Sequence, residues 1–309
     1  MKWKEILLKA LEYIKKYRAL WYLGILAALT EGGSGSNFSS IKSSATGNST
    51  GLTDTMQSSL NKVFDWISNN RAEVVVIALA LVLISLIILY ISYSARAGLI
   101  HSIDKAESGG KKPEFHEAFH TGQKYFWRFL GLSLLIALMI FAVVFVLVGL
   151  IAIFIILVAA VSMWFLIVVI PVGLLLVLGI VVLAVYLGWI LQLAFREVVI
   201  KEKSISAAFA GARELIHHNF TNVVLAWLIQ AAVNLVAGIA MVIVVLVIGG
   251  ALFAIGVGIY FAGGLAAVLA YGSAAVIIFI ALTLFLSGII AAYISTYWTI
   301  VYKTLSTKS

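Results

Sequence analysis

The sequence predicts an all-α integral membrane protein of about six transmembrane helices, arranged as three hairpins with interfacial amphipathic helices. Three observations carry this reading. The chain has 309 residues, of which 63% are hydrophobic and 11% charged, against about 45–50% and about 25% in a soluble domain. A soluble fold could not cover so much apolar surface with so thin a polar coat. Three blocks, 74–95, 129–195 and 220–302, carry no charged side chain and are long enough to cross a bilayer. The basic residues flank these blocks and are unevenly divided among the flanks.

A spanning helix needs about 20 residues. The first block therefore holds one helix, the second two or three, and the third two to four. Eighteen of the 21 basic residues fall in four groups. These are Lys2 to Arg18, Arg96 to Arg128, Arg196 to Arg213, and the tail with Lys303 and Lys308. The other three, Lys42, Lys62 and Arg71, lie in or at the end of a Ser/Gly/Thr/Asn-rich stretch over about 30–73. The positive-inside rule puts the four groups in the cytoplasm, with both termini, and the polar stretch outside. The single span 74–95 then needs a partner, which only Ala19–Leu29 can supply. That segment is short for a span and would cross by snorkelling of Lys15, Lys16 and Arg18 and local thinning of the bilayer.

The chain reads as one polytopic domain: a first hairpin over 1–95, a second unit over 96–195 and a third over 196–309. Each unit opens with an apolar stripe at helical spacing. The first has Trp3, Ile6, Leu7, Ala10, Leu11, Ile14 and Tyr17. The second has Phe115, Ala118, Phe119, Gly122, Phe126 and Phe129, and the third Ile205, Ala208, Phe209, Ala212, Ile216 and Phe220. The second and third stripes align, as do Ser94-Ala95-Arg96 and Ala194-Phe195-Arg196, which suggests three pseudo-repeats. Such helices lie along the headgroup plane. With a net charge of +8 placed beside apolar runs, the expected partner is anionic lipid at the cytoplasmic face rather than nucleic acid. Glu5 and Glu12, and the lack of an A-x-A site after Leu29, argue against a cleaved leader. The chain has no cysteine, which removes thiolate and disulfide chemistry. No cofactor is expected.

Two long blocks contain breaks: Ser162, Pro171 and Gly173 in the second, and Gly249, Gly250, Gly256, Gly258, Gly263 and Gly264 in the third. Irregular backbone at membrane depth survives only where protein or a cavity satisfies it. These positions are read as helix ends or close packing through small residues, with re-entrant pieces as the alternative.

Tyr17-Arg18-Ala-Leu-Trp21-Tyr-Leu-Gly24, Arg196-Glu-Val-Val-Ile200 with Ile205-Ser-Ala-Ala-Phe209, and Thr296-Tyr-Trp298-Thr-Ile-Val-Tyr302 resemble the multi-pass family named for glycerophosphodiester phosphodiesterase membrane domains. The likeness covers most of the chain apart from 30–73. In that family the phosphodiesterase belongs to a separate soluble domain with no counterpart in this sequence, so the resemblance implies an architecture and no activity.

The sharpest chemical motif is His116-Glu117-Ala118-Phe119-His120, the H-E-x-x-H form in which two histidines bind zinc and the glutamate serves as base. His217, His218, Glu214 or Asp104 would have to supply a third ligand. Against a metallopeptidase stand Pro113, which places the motif in a first helical turn, and Glu114 and Gly122 at positions where the pattern prefers other residues. Adjacent His217 and His218 point in different directions on a helix. No Asp, Glu, Lys or Arg falls within the predicted spans, which disfavours proton relays and many ion-coupled carriers. Gln192, Gln230 and Asn234 are the main polar residues there. Gln230 and Asn234 share a helix face and read first as helix glue. Asn37 and Asn48 match the glycosylation pattern. The sequence thus predicts a non-enzymatic scaffold that organises the bilayer or a complex, with no catalytic, cofactor or metal residue. Two alternatives are a permease for a neutral or amphiphilic solute, its path lined by Gln230, Asn234 and 249–264, and a zinc peptidase.

Overall fold

A computed structural model describes residues 1–31, 66–109, 113–161 and 166–307. Asn37, Asn48, Ser162 and most of the polar stretch lie outside them. All regular structure among the described residues is helical. The order is α1 (Trp3–Lys16), α2 (Ala19–Glu31), α3 (Arg71–Glu107), α4 (Phe115–Gln123), α5 (Phe126–Val161), α6 (Leu166–Ile200), α7 (Ile205–His218) and α8 (Phe220–Ser306). Local rules account for several ends. Glu5 opens α1 and Lys15 and Lys16 close it, each complementing the helix dipole. Glu73 and Lys105 do the same for α3. Pro171 is accommodated inside α6, near its start. Gly264 interrupts α8 with φ 71° and ψ −167°, backbone that a residue with a Cβ rarely adopts. There α8 turns back: Tyr271 Oη donates to Leu252 O at 2.9 Å and Tyr297 Oη to Ala226 O at 3.1 Å. The other glycines expected to interrupt this block, Gly249 to Gly263, lie within helix.

Five helices are long and apolar enough to cross a membrane: Arg71–Glu107, Phe126–Leu150, Pro171–Ile200, and the two arms of α8, Phe220–Ala262 and Ala270–Ser306. The second and third apolar blocks supply two each. The expected sixth, α2, has 13 residues, about 20 Å at 1.5 Å per residue against a hydrocarbon core of about 30 Å.

The core does not run the length of these helices. It gathers at one end, here called the base. Buried there are Ala95, Leu99 and Ile103 of α3, Phe129 and Leu132 of α5, Leu187, Leu193 and Val199 of α6, and Val223, Ala226, Ala292, Trp298 and Leu305 of α8, among others. Beyond the base the apolar middles face outward, as at Phe145 (70% exposed) and Ile277 (68%). Ion pairs gather α1, α4 and the ends of α3 and α8 at the base: Lys9–Glu107 at 2.6 Å, Lys105–Glu117 at 2.5 Å and Lys303–Asp104 at 2.7 Å.

Small residues set the crossings. Ser94 and Gly98 of α3 meet Ala118 and Gly122 of α4, where a Cβ on Gly122 would stand 2.7 Å from Gly98 N. Gly24 of α2 meets Gly288 and Ala292 of α8, where a Cβ would stand 2.7 Å from that of Ala292. Backbones can approach this closely only where side chains are missing. In α7, Ala208 and Ala212 are fully buried, at the positions aligned with Ala118 and Gly122. α2 is further tied in by Trp21 Nε1 to Ile14 O (2.8 Å) and Ser92 Oγ to Ala27 O (2.8 Å).

The stripe expected on α1 is divided. Ile6, Ala10 and Ile14 are buried against the base, and Trp3 and Leu7 pack partly on it. Leu11, by contrast, is exposed, as is its neighbour Leu8.

Candidate functional site

The densest chemistry in the fold lies where α6 runs into α7. Phe195, Arg196 and Glu197 are consecutive, so on a helix their side chains leave about 100° apart and reach three different neighbours. All three are at most 1% exposed. Phe195 stacks on Phe129 of α5 at 4.2 Å between centroids and carries the Arg96 guanidinium of α3 at 4.8 Å. Arg196 donates to the backbone and side-chain oxygens of Gln192, one turn earlier, and through Nη2 to Ser295 O at 3.2 Å on the second arm of α8. Glu197 faces the turn between α6 and α7, with Lys201 Nζ at 3.0 Å and Lys203 Nζ at 2.6 Å. It also accepts the Tyr302 hydroxyl at 2.7 Å.

A buried carboxylate is tolerable only when paired and hydrogen-bonded. Glu197 meets both conditions by drawing the turn and the end of α8 onto itself. Gly211 of α7 makes room, since a Cβ there would stand 2.8 Å from Lys203 Nζ and 3.1 Å from Glu197 Oε2. The turn is anchored on its other side as well. Glu202 takes a left-handed conformation, φ 52°, while Tyr125 Oη donates to its carboxylate at 3.2 Å and Arg128 Nη1 to its carbonyl at 3.1 Å. Burial, and then the neighbouring Glu202 charge, push the Tyr125 hydroxyl above its usual range. Nearby, Trp298 Nε1 donates to Gln230 Oε1 at 2.7 Å across the two arms of α8. Phe195, Arg196, Glu197 and Tyr302 form the buried heart of this network, Lys201 and Lys203 stand at its solvent edge, and together they join α3, α5, α6, the turn before α7, and α8. Its chemistry is that of a clasp.

The residues singled out in sequence fall elsewhere or take structural roles. His116, Glu117 and His120 are exposed on α4, with Glu117 bound to Lys105. Asp104 pairs with Lys303. Glu214, His217 and His218 lie exposed on α7, where His218 Nδ1 is 3.1 Å from Glu214 O. Among the described residues no three His, Asp or Glu side chains come together as a metal site. Gln192 and Gln230 are taken up by Arg196 and Trp298, while Asn234 is exposed. The glycine-rich region borders an apolar groove of about 560 Å³ between the arms of α8, lined by Gly249, Gly256, Tyr271 and Gly272 among others, with neither Gln230 nor Asn234 on its wall.

The clasp was not legible as a site. Arg196 reads in sequence as one more flanking cation. The signal lay just beyond it: Val198, Val199 and Ile200 continue the apolar run, so the helix goes on burying its faces after the charged pair. No curated protein and no solved structure matches the chain. Residues 16–308, nearly its full length, match the family of unknown function DUF7544, and the chain belongs to that family.

Proposed function

We propose that the protein is a non-enzymatic, multi-pass scaffold of the cell membrane that organises the surrounding bilayer or a membrane complex, with both termini cytoplasmic. One observation carries this reading: packing is concentrated at the charged base, and the apolar middles of the spanning helices turn outward. Such a body holds a fixed footprint at the headgroup level while offering broad apolar surface to lipid or to other spanning helices. The basic groups gathered at the base favour the cytoplasmic side for it. In this reading α2 is the sixth crossing, completed by local thinning of the bilayer, and α1, α4 and α7 are the interfacial members of three units.

The test is reconstitution of single-cysteine variants at Phe145, Leu178 and Ile277. Spin labels there should be relaxed by oxygen dissolved in the bilayer and not by a water-soluble nickel complex, and proteoliposomes should hold gradients of neutral solutes. Labels reached by the nickel complex, together with saturable flux lost in Gln230→Ala, would overturn the scaffold in favour of a permease. Orientation is read in cells. Cysteines at Ser108 and Ser204 should stay protected from an impermeant thiol reagent, and cysteines at Ser44 and Thr46 should react.

A further inference from the structure

The buried face of α1 is committed to protein: Ile6, Ala10 and Ile14 are at most 7% exposed, Lys9 pairs with Glu107, and Tyr293 Oη donates to Leu7 O at 3.4 Å. The shoulder beside it is not. Lys4, Leu8, Leu11 and Lys15 recur at intervals of four, three and four residues, which puts them on one stripe of the helix. All four are exposed, Leu8 at 56% and Leu11 at 41%. The stripe holds no acid. Glu5, paired with Lys2, and Glu12 border it along one edge, and Lys4 and Lys15 have no acidic partner among the described residues. Two leucines between two lysines form an apolar wedge with a cation at each end.

We infer that this shoulder, rather than the Trp3–Ile6–Ala10–Ile14 face, is where α1 meets the membrane: Leu8 and Leu11 enter the boundary between headgroups and acyl chains, and Lys4 and Lys15 engage anionic lipid phosphates. The charge complementarity selects an anionic lipid surface. Exposed apolar side chains with a cation at each end of their stripe suit a layer of negative headgroups over hydrocarbon. Long lysine stems let the ammonium groups reach the phosphates while the leucines go deeper. Continuity with the spanning helices supports the same occupant. α1 passes into α2 through Tyr17 and Arg18 alone, and α2 packs on α3 and α8 at the crossings described above, so α1 sits beside the apolar girdle. The inference rests on the proposed seating of the base at the bilayer surface.

The test uses the full chain in nanodiscs of phosphatidylcholine, with or without phosphatidylglycerol. Its lack of cysteine allows single spin labels at Leu8, Leu11, Glu12 and, as a reference for the spanning region, Val82. With phosphatidylglycerol present, labels at Leu8 and Leu11 should be oxygen-accessible and shielded from the nickel complex, while the Glu12 label stays in water. Lys4→Gln with Lys15→Gln should shift the seated-to-unseated ratio about 25-fold, at roughly fivefold per charge, and high salt should act in the same direction. Water exposure at Leu8 and Leu11 with Val82 still in lipid would overturn this inference and leave the membrane reading intact. Water exposure at Val82 as well would overturn both. Labels at Leu8 and Leu11 immobilised but closed to both relaxants would show a protein partner there and would also overturn it.

Discussion

Removing the Glu197 carboxylate measures how much the clasp holds. The Tyr302 hydroxyl is buried and donates to an ionised acceptor at 2.7 Å, a contact worth about 1.5–3 kcal/mol. Lys201 and Lys203 are 41% and 34% exposed; solvent screens them, so each pair adds about 0.2–1 kcal/mol. Glu197→Ala loses all three contacts and strands the tyrosine hydroxyl, for a total of about 3–4 kcal/mol. Tyr302→Phe loses one hydrogen bond, about 1.5–2 kcal/mol. The double variant should cost little more than Glu197→Ala alone, leaving a coupling energy of about 1.5 kcal/mol. Lys201→Gln and Lys203→Gln should each stay below about 1 kcal/mol. The assay is reversible unfolding in mixed micelles at rising denaturing-detergent fraction, followed by the fluorescence of tryptophans such as buried Trp298. Losses for Glu197→Ala and Tyr302→Phe that add within about 0.5 kcal/mol would refute a direct contact.

Three further outcomes follow from the geometry. Gly24→Val and Gly122→Val should each destabilise by about 1–3 kcal/mol through overpacking, whereas Gly238→Ala, where a Cβ meets open space, should gain about 0.5–1 kcal/mol in the same unfolding assay. Alkaline pH should weaken the base. Tyr125 is raised above its ordinary 10.0 by burial and then by Glu202, and Lys9 above 10.5 chiefly by its hydrogen bond to Glu107. For a group raised in the folded state, stabilisation is whole below the unfolded value and is lost as pH climbs through the folded one. Melting temperature should therefore hold up to about pH 10 and fall above it, less steeply in Tyr125→Phe; a decline that sets in well below pH 10 would contradict this. Purified protein should carry no stoichiometric zinc, and His116→Ala with His120→Ala should change stability by less than about 0.5 kcal/mol, as for exposed positions. One zinc per chain, lost in that double variant, would restore the peptidase.

Membrane residence was legible in the sequence because it depends on totals: a charge-free block long enough to cross lipid is visible without knowing what it touches. Helix type followed for the same reason, since hydrocarbon leaves the backbone no other open-ended solution. The start of α4 was foreshadowed by Pro113, a residue whose preference acts locally. Burial is a relation between segments, and there the sequence fell short. Arg196 and Arg213 look alike in the chain, yet one sits inside the base and the other on its surface, because only the first lies on a helix enclosed by α3 and α8. Gly98, Gly122, Gly24 and Gly288 reveal their purpose only when paired across crossings. On α1 the periodic pattern identified a helix with an apolar side, while tertiary packing decided how that side is shared: Ile6, Ala10 and Ile14 against the base, Leu8 and Leu11 left outside. Composition and period determined that this chain lives in a membrane as helices. Long-range contacts alone decided where its charges are buried and which surfaces remain open, since they depend on which helices meet.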